Sequence, residues 1–132
     1  MSYLLDTDIC IYLLNGGNEK LAKKFRENSR EVLAISTITE AELYFGALHS
    51  LKPQNNLERV KHFIDPLEIA PFDSEAALHF AEIKQALSKK GTPIGVMDML
   101  IAAVARSKQM TVVTNNLKHF KNVPQLWVEN WS

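Results

Sequence analysis

The chain has 132 residues, 46% of them hydrophobic, which is enough to bury the core of one compact domain over residues 1–132. Its 15 Lys and Arg balance 15 Asp and Glu, so no global basic field announces a nucleic-acid partner, and any such partner must be met by local patches. No stretch approaches the ~20 apolar residues of a membrane span, no basic leader precedes the first strand, and Cys10, the only cysteine, excludes an intrachain disulfide and reads as a small packed apolar residue; the expectation is a cytoplasmic protein in a reducing compartment.

The hydrophobic periodicity predicts strands near 2–6, 32–36, 67–71, 111–114 and 126–129, and helices near 8–15, 18–29, 38–49, 54–64, 74–90 and 95–108. Such alternation argues for an α/β fold with a mainly parallel central sheet covered by helices on both faces. Tyr3-Leu4-Leu5 reads as a buried strand, so Asp6 falls at its C-terminal end, the edge where open parallel sheets place their ligands. Asp8 opens the apolar stretch Ile9–Leu14 and is expected to cap that helix. One helix start needs one N-cap, so Asp6 is left for function. Ile11, Tyr12, Leu13, Leu14 and Phe25 exceed what one core face needs. Either a partner segment covers some of them or the early helices pack on each other. Lys20, Lys23, Lys24, Arg26 and Arg30 cluster on the second helix, where a solvated face is the commoner explanation.

The segment Ser36–Glu42 carries overlapping capping signals, Thr37 with Glu40 and Thr39 with Glu42. At roughly 100° per residue, Ile38, Ala41, Tyr44, Phe45 and Leu48 form an apolar face, with Glu42 at its margin and Glu40 turned to water. A carboxylate at the margin of a buried stripe must be paired, protonated or bound to a metal. Asp98 stands alone in Ile94–Ala105, a segment apolar on nearly every side and therefore expected to be buried. Ile101, Ala102 and Ala105 share its face, and the alanines leave room for an ion or a phosphate; the plainer alternative is a carboxylate favoured by the helix dipole. Thr111–Val113 reads as a buried strand that delivers Thr114, Asn115 and Asn116 to the same sheet edge as Asp6, followed by the basic residues Lys118, His119 and Lys121. Asn115 and Asn116 read equally as turn formers. With a single cysteine and no close histidine spacing, a zinc site is not indicated. Three carboxylates with an amide nearby make an oxygen-rich site, which suits Mg²⁺ or Mn²⁺ and the phosphoryl chemistry these ions serve.

Four ordered stretches carry a resemblance: Leu4-Leu5-Asp6-Thr7-Asp8-Ile9; Thr39-Glu40-Ala41-Glu42-Leu43 with Gly46; Pro93-Ile94-Gly95-Val96-Met97-Asp98; and Val113-Thr114-Asn115-Asn116 with Phe120. Together they resemble the motifs of PIN-domain nucleases, and among them the VapC toxins of type II toxin–antitoxin modules, over nearly the whole chain. The resemblance implies a three-layer α/β/α sandwich and a magnesium-dependent endoribonuclease acting on structured RNA such as transfer RNA, with Mn²⁺ as a substitute ion. It also implies a VapB-type antitoxin as inhibitor, DNA contact only through that antitoxin, a homodimer and larger toxin–antitoxin assemblies. Asp6, Glu42 and Asp98 take the places of the metal-binding acids, and Thr7, Asp8, Thr114 and Asn115 flank them. Two departures stand out. Asp8 occupies the place of a more usual asparagine, and a fourth acid of many PIN domains falls at or near Asn116 here.

Two other readings compete. Asp6-Thr7-Asp8 with Val113-Thr114-Asn115 imitates two motifs of haloacid-dehalogenase-like phosphatases, yet those enzymes need a lysine and a further acidic pair afterwards, and only Glu129 is left as a later carboxylate. A non-catalytic RNA- or protein-binding module of the same fold would not need a buried Asp98.

Overall fold

Successive side chains of a strand face opposite ways, and the strands of this chain are apolar on both sides. In the computed structural model, which describes residues 1–132, Leu4 joins Ala34, Ala70 and Val112 in one core, while Tyr3, Leu5, Ile35 and Val113 join a second core on the opposite face. A sheet buried on both faces is the environment in which parallel pairing is found. The five strands are β1 (Ser2–Leu5), β2 (Val32–Ser36), β3 (Glu68–Ala70), β4 (Thr111–Val113) and β5 (Val128–Glu129), ordered β3-β2-β1-β4-β5 and parallel throughout.

Seven helices complete three layers: α1 (Thr7–Asn15), α2 (Glu19–Glu27), α3 (Thr37–Leu48), α4 (Pro53–Ile64), α5 (Ser74–Lys90), α6 (Val96–Ser107) and α7 (Leu117–Phe120). Leu21, Leu43, Val60 and Ile64 from α2, α3 and α4 fill the core on the Tyr3 face, where Trp131 stacks edge-on against Tyr3 at 5.0 Å. Ile83 and Leu87 from α5 and Ile101–Ala105 from α6 fill the other. Gly91, at φ 69°, ends α5 in the left-handed region that other residues resist, and turns the chain back into α6. No helix is long and apolar enough to cross a membrane.

Several sequence-based expectations change. The buried side of α3 is Thr39, Leu43 and Ala47, with Ile38 and Tyr44 half-buried, whereas Ala41, Phe45 and Leu48 are exposed. The apolar face drawn through Phe45 and Leu48 therefore points to solvent. Glu40 is half-buried and accepts from the Tyr44 hydroxyl at 3.2 Å, so it does not simply face water. Helix α6 is buried from Ile101 to Ala105, but its first turn projects past the sheet edge, leaving Val96 and Met97 more than half exposed. Leu13, Leu14 and Phe25 pack on the Tyr3-face core, leaving Ile11 and Tyr12 exposed. Helix α7 was not expected at all, because four residues are too few to display a helical period.

Candidate functional site

Reversal of strand order around β1 opens a crevice between β1 and β4 at their C-terminal ends, the place where doubly wound sheets bind ligands. Asp6 and Thr114 are the residues that follow those two strands. Backbone pairing continues one step beyond the strands, with Asp6 N–H donating to Val113 O at 2.9 Å. Thr114 Oγ1 then donates to Asp6 Oδ2 at 2.8 Å.

Asp6 is the N-cap of α1, its Oδ1 accepting from Thr7 N–H at 2.8 Å. This corrects the division of labour expected from sequence: Asp6 caps, and Asp8 lies exposed in the first turn. Capping does not remove Asp6 from the site, because its other oxygen accepts from Thr114 across the two strand ends and the residue lines the cleft there. Burial pushes its carboxyl up to about 6, against the pull of its Thr114 and Thr7 hydrogen bonds, and the charges of Asp98 and Asp8 push the same way.

Ser36, not Thr37 or Thr39, caps α3, accepting from Thr39 N–H at 3.1 Å. Glu42 therefore sits in the second turn of α3, free of any cap, half-buried, with Oε1 taking a 2.5 Å hydrogen bond from Thr7 Oγ1. Gly95 caps α6 and places Asp98 in its first turn. The Asp98 side chain is 22% exposed, so it is half-buried and not enclosed as expected, while Ile101, Ala102 and Ala105 further along α6 are core residues. Its Oδ2 meets His119 Nδ1 at 2.8 Å. Asn116 Nδ2 donates to Asp8 Oδ2 at 3.1 Å and its backbone N–H to Thr114 Oγ1 at 2.9 Å. Asn115 is bonded instead to the Ser132 hydroxyl.

Asp6, Thr7, Asp8, Glu42 and Asp98 line one cleft of about 620 Å³, with apolar walls from Ile11, Ile38, Phe45 and Met97. Four carboxylates thus come together from β1–α1, α3 and α6, although these segments are up to 92 residues apart in the chain. As the side chains stand, no three His, Cys, Asp or Glu groups converge closely enough to hold one ion. Thr7 holds one oxygen of Glu42 and His119 one oxygen of Asp98. The donor set still fits a hard divalent cation, since it is all oxygen, and the mutual repulsion felt at Asp6 is what a cation would relieve. Sequence reasoning missed the Asp98–His119 pair. His119 was legible only as part of a basic cluster, because the turn of α7 that aims it leaves no periodic signal.

The PIN domain model matches residues 3–126. The tRNA(fMet)-specific endonuclease VapC of Salmonella typhimurium is 40% identical over 131 residues, covering 99% of this chain and 98% of that protein. Among solved structures, the DNA-bound VapBC of the same organism superposes with a TM-score of 0.93 at 39% identity, covering 100% of this chain and 99% of the other. VapBC2 of Rickettsia felis, bound to a DNA fragment from its promoter, gives 0.94 at 36% identity with both chains fully covered. The match removes the phosphatase alternative, whose later acidic pair is also missing. An acid-lined cleft at the switch point of a parallel sheet, matched over the full chain in sequence and in shape, carries one conclusion: the chain belongs to the PIN domain family, within its VapC branch.

Proposed function

We propose that this single-domain chain is the toxin of a type II toxin–antitoxin module, an endoribonuclease that hydrolyses RNA phosphodiester bonds and is neutralised by a VapB-type antitoxin. The observation that carries the reading is the cleft in which Asp6, Asp8, Glu42 and Asp98 meet, in a chain 40% identical along its length to a tRNA endonuclease. Structured RNA is the proposed substrate class, transfer RNA first, in keeping with the activity of the Salmonella relative. An RNA substrate and a DNA-bound partner assembly in relatives support a cytoplasmic setting, with DNA reached only through the antitoxin. A homodimer of toxin within larger assemblies completes the proposal.

Nucleases of this family generally depend on a divalent metal. For this chain Mg²⁺ is proposed, with Mn²⁺ as substitute, held by Asp6, Glu42 and Asp98. Bound there, the cation supplies a lowered pKa for water and stabilises charge developing on a phosphate. The chain's own residues arrange the rest. Thr114 and the Thr7 amide fix both oxygens of Asp6, so the carboxylate keeps one orientation. Thr7 fixes Glu42, and Asn116 holds Asp8 away from free rotation. Phe45 and Met97, both more than half exposed, give the cleft apolar walls against which a base can pack while the phosphate faces the acids.

Purified protein freed of antitoxin should cleave RNA in Mg²⁺ and stop in chelator, and sequencing RNA ends after brief expression without antitoxin identifies the target. RNA binding without metal-dependent cleavage would turn the assignment to the non-catalytic module.

A further inference from the structure

Behind Glu42 lies a chain of hydroxyls. Thr7 Oγ1 donates to Glu42 Oε1 at 2.5 Å. It lies 3.0 Å from Thr39 Oγ1, which in turn lies 3.5 Å from Ser36 Oγ. All three side chains are buried: Thr7 is 9% exposed, and Thr39 and Ser36 are fully enclosed.

The direction of these bonds is fixed by counting protons. A carboxylate oxygen only accepts, so the single hydroxyl proton of Thr7 is committed to Glu42. Across the next contact Thr39 must therefore donate, and Thr39 can then only accept from Ser36. Every donor points the same way, Ser36 to Thr39 to Thr7 to Glu42, and bonds arranged head to tail polarise one another.

Capping α3 does not require this arrangement. The cap uses Ser36 Oγ and the Thr39 backbone N–H alone. A valine at position 39 would fill the same volume with no buried hydroxyl to satisfy. What the Thr39 hydroxyl adds is a bridge between two helix starts, one following β1 and one following β2, that ends on a pocket carboxylate.

We propose that Ser36, Thr39 and Thr7 form a one-way hydroxyl chain that positions Glu42 for the reaction, with Thr39 its central positioning residue. The inference rests on the nuclease reading above. By holding Oε1 from behind, the chain fixes which oxygen Glu42 presents to the cleft and locks α3 to α1 at the site. Glu42 is the one acid of the cleft whose helix does not begin beside it, so it depends most on a support from elsewhere.

The test compares wild type, Thr39→Val and Thr39→Ser by calorimetric titration with Mn²⁺ and by steady-state RNA cleavage in Mg²⁺. Thr39→Val should lower both Mn²⁺ affinity and kcat by roughly tenfold, the usual size of effect for a group that orients a ligand, with KM for the RNA little changed. Thr39→Ser, which restores the hydroxyl, should recover both. A purely structural role would lower Tm in Thr39→Val and leave affinity and kcat at wild-type values, which overturns the proposal. If Thr39→Val does not fold, Thr7→Val cuts the chain one hydroxyl later and is read by the same two measurements. Wild type that binds no Mn²⁺ and cleaves no RNA would instead overturn the nuclease reading, and the positioning role with it.

Discussion

Asp6 carries two duties that conflict. As the cap of α1 and the acceptor from Thr114 it is built into the fold, yet it is 3% exposed and pushed up to about 6 by burial and by neighbouring acids. A carboxyl raised in the folded state stabilises the fold below its ordinary value of 3.8. That contribution is lost as pH rises towards about 6. Metal-free protein should therefore lose stability between about pH 4 and pH 6 through this group, by an amount on the order of 3 kcal/mol at most. Asp6→Asn keeps a good capping residue and removes the charge. It should abolish cleavage while raising Tm at pH 8 in chelator, with the gain over wild type vanishing near pH 4. A variant that melts below wild type at pH 8 would show that the charge at Asp6 is not a burden on the fold. Metal binding should release a proton near pH 6, so Mg²⁺ affinity should rise from pH 5 to pH 7 in calorimetry.

Asn116 tests the missing acid at the same scale. Its amide donates to Asp8, so Asn116→Asp removes a donor and sets two carboxylates side by side. Without metal the variant should be less stable than wild type; with Mg²⁺ or Mn²⁺ it should bind the cation more tightly, because a carboxylate attracts it more strongly than an amide. Unchanged metal affinity would leave Asn116 as a residue that only steadies Asp8 and starts α7.

At the scale of elements, the first turn of α6 explains both what sequence reading achieved and where it stopped. An apolar stretch broken by one acid singled out Asp98, which lines the cleft. Periodicity cannot tell which end of such a helix leaves the core, and the turn carrying Asp98 stands beyond the sheet edge, with Val96 and Met97 in solvent. The same limit applied to α3, where Phe45 and Leu48 mimicked a core face. Strand positions were legible because a doubly buried parallel sheet needs unbroken apolar runs, and Asp6 was legible because it ends one. Its capping role was not, since Asp6 and Asp8 are chemically equal candidates and only the backbone at the strand end chooses between them. Asp98→Asn, which keeps volume and the hydrogen bond to His119 within reach, should leave Tm close to wild type and remove most cleavage; a variant cleaving at the wild-type rate in Mg²⁺ would take Asp98 out of the ligand set. On α1, the exposed pair Ile11 and Tyr12 should be covered by antitoxin. Ile11→Asp with Tyr12→Ala should weaken the toxin–antitoxin complex at least tenfold in calorimetry, and equal affinity would move the interface elsewhere.

Across the whole molecule, the acid cleft and a polar fastening of the fold lie at opposite ends of α6. Arg106, near the C-terminal end of α6, has a side chain only 7% exposed and donates to His79 at 2.8 Å, to Glu82 at 2.5 Å and to the Pro124 carbonyl at 3.3 Å. One guanidinium thus joins α5, α6 and the segment leading into β5, while Asp98 opens the other end of α6. Removing the arginine leaves a half-buried imidazole nitrogen and a half-buried carbonyl without their donor, whereas removing Glu82, which is 55% exposed, leaves the arginine its other partners. Arg106→Ala should therefore cost about 2–3 kcal/mol in denaturant unfolding, and Glu82→Ala less than about 1 kcal/mol. Since seven helical residues, the packed run Ile101–Ala105 among them, separate Arg106 from Asp98, kcat per folded molecule should stay at the wild-type value in both variants. A fall in kcat for Arg106→Ala at temperatures where it is fully folded would mean that α6 transmits the position of its far end to Asp98, and that the fastening and the site are a single device.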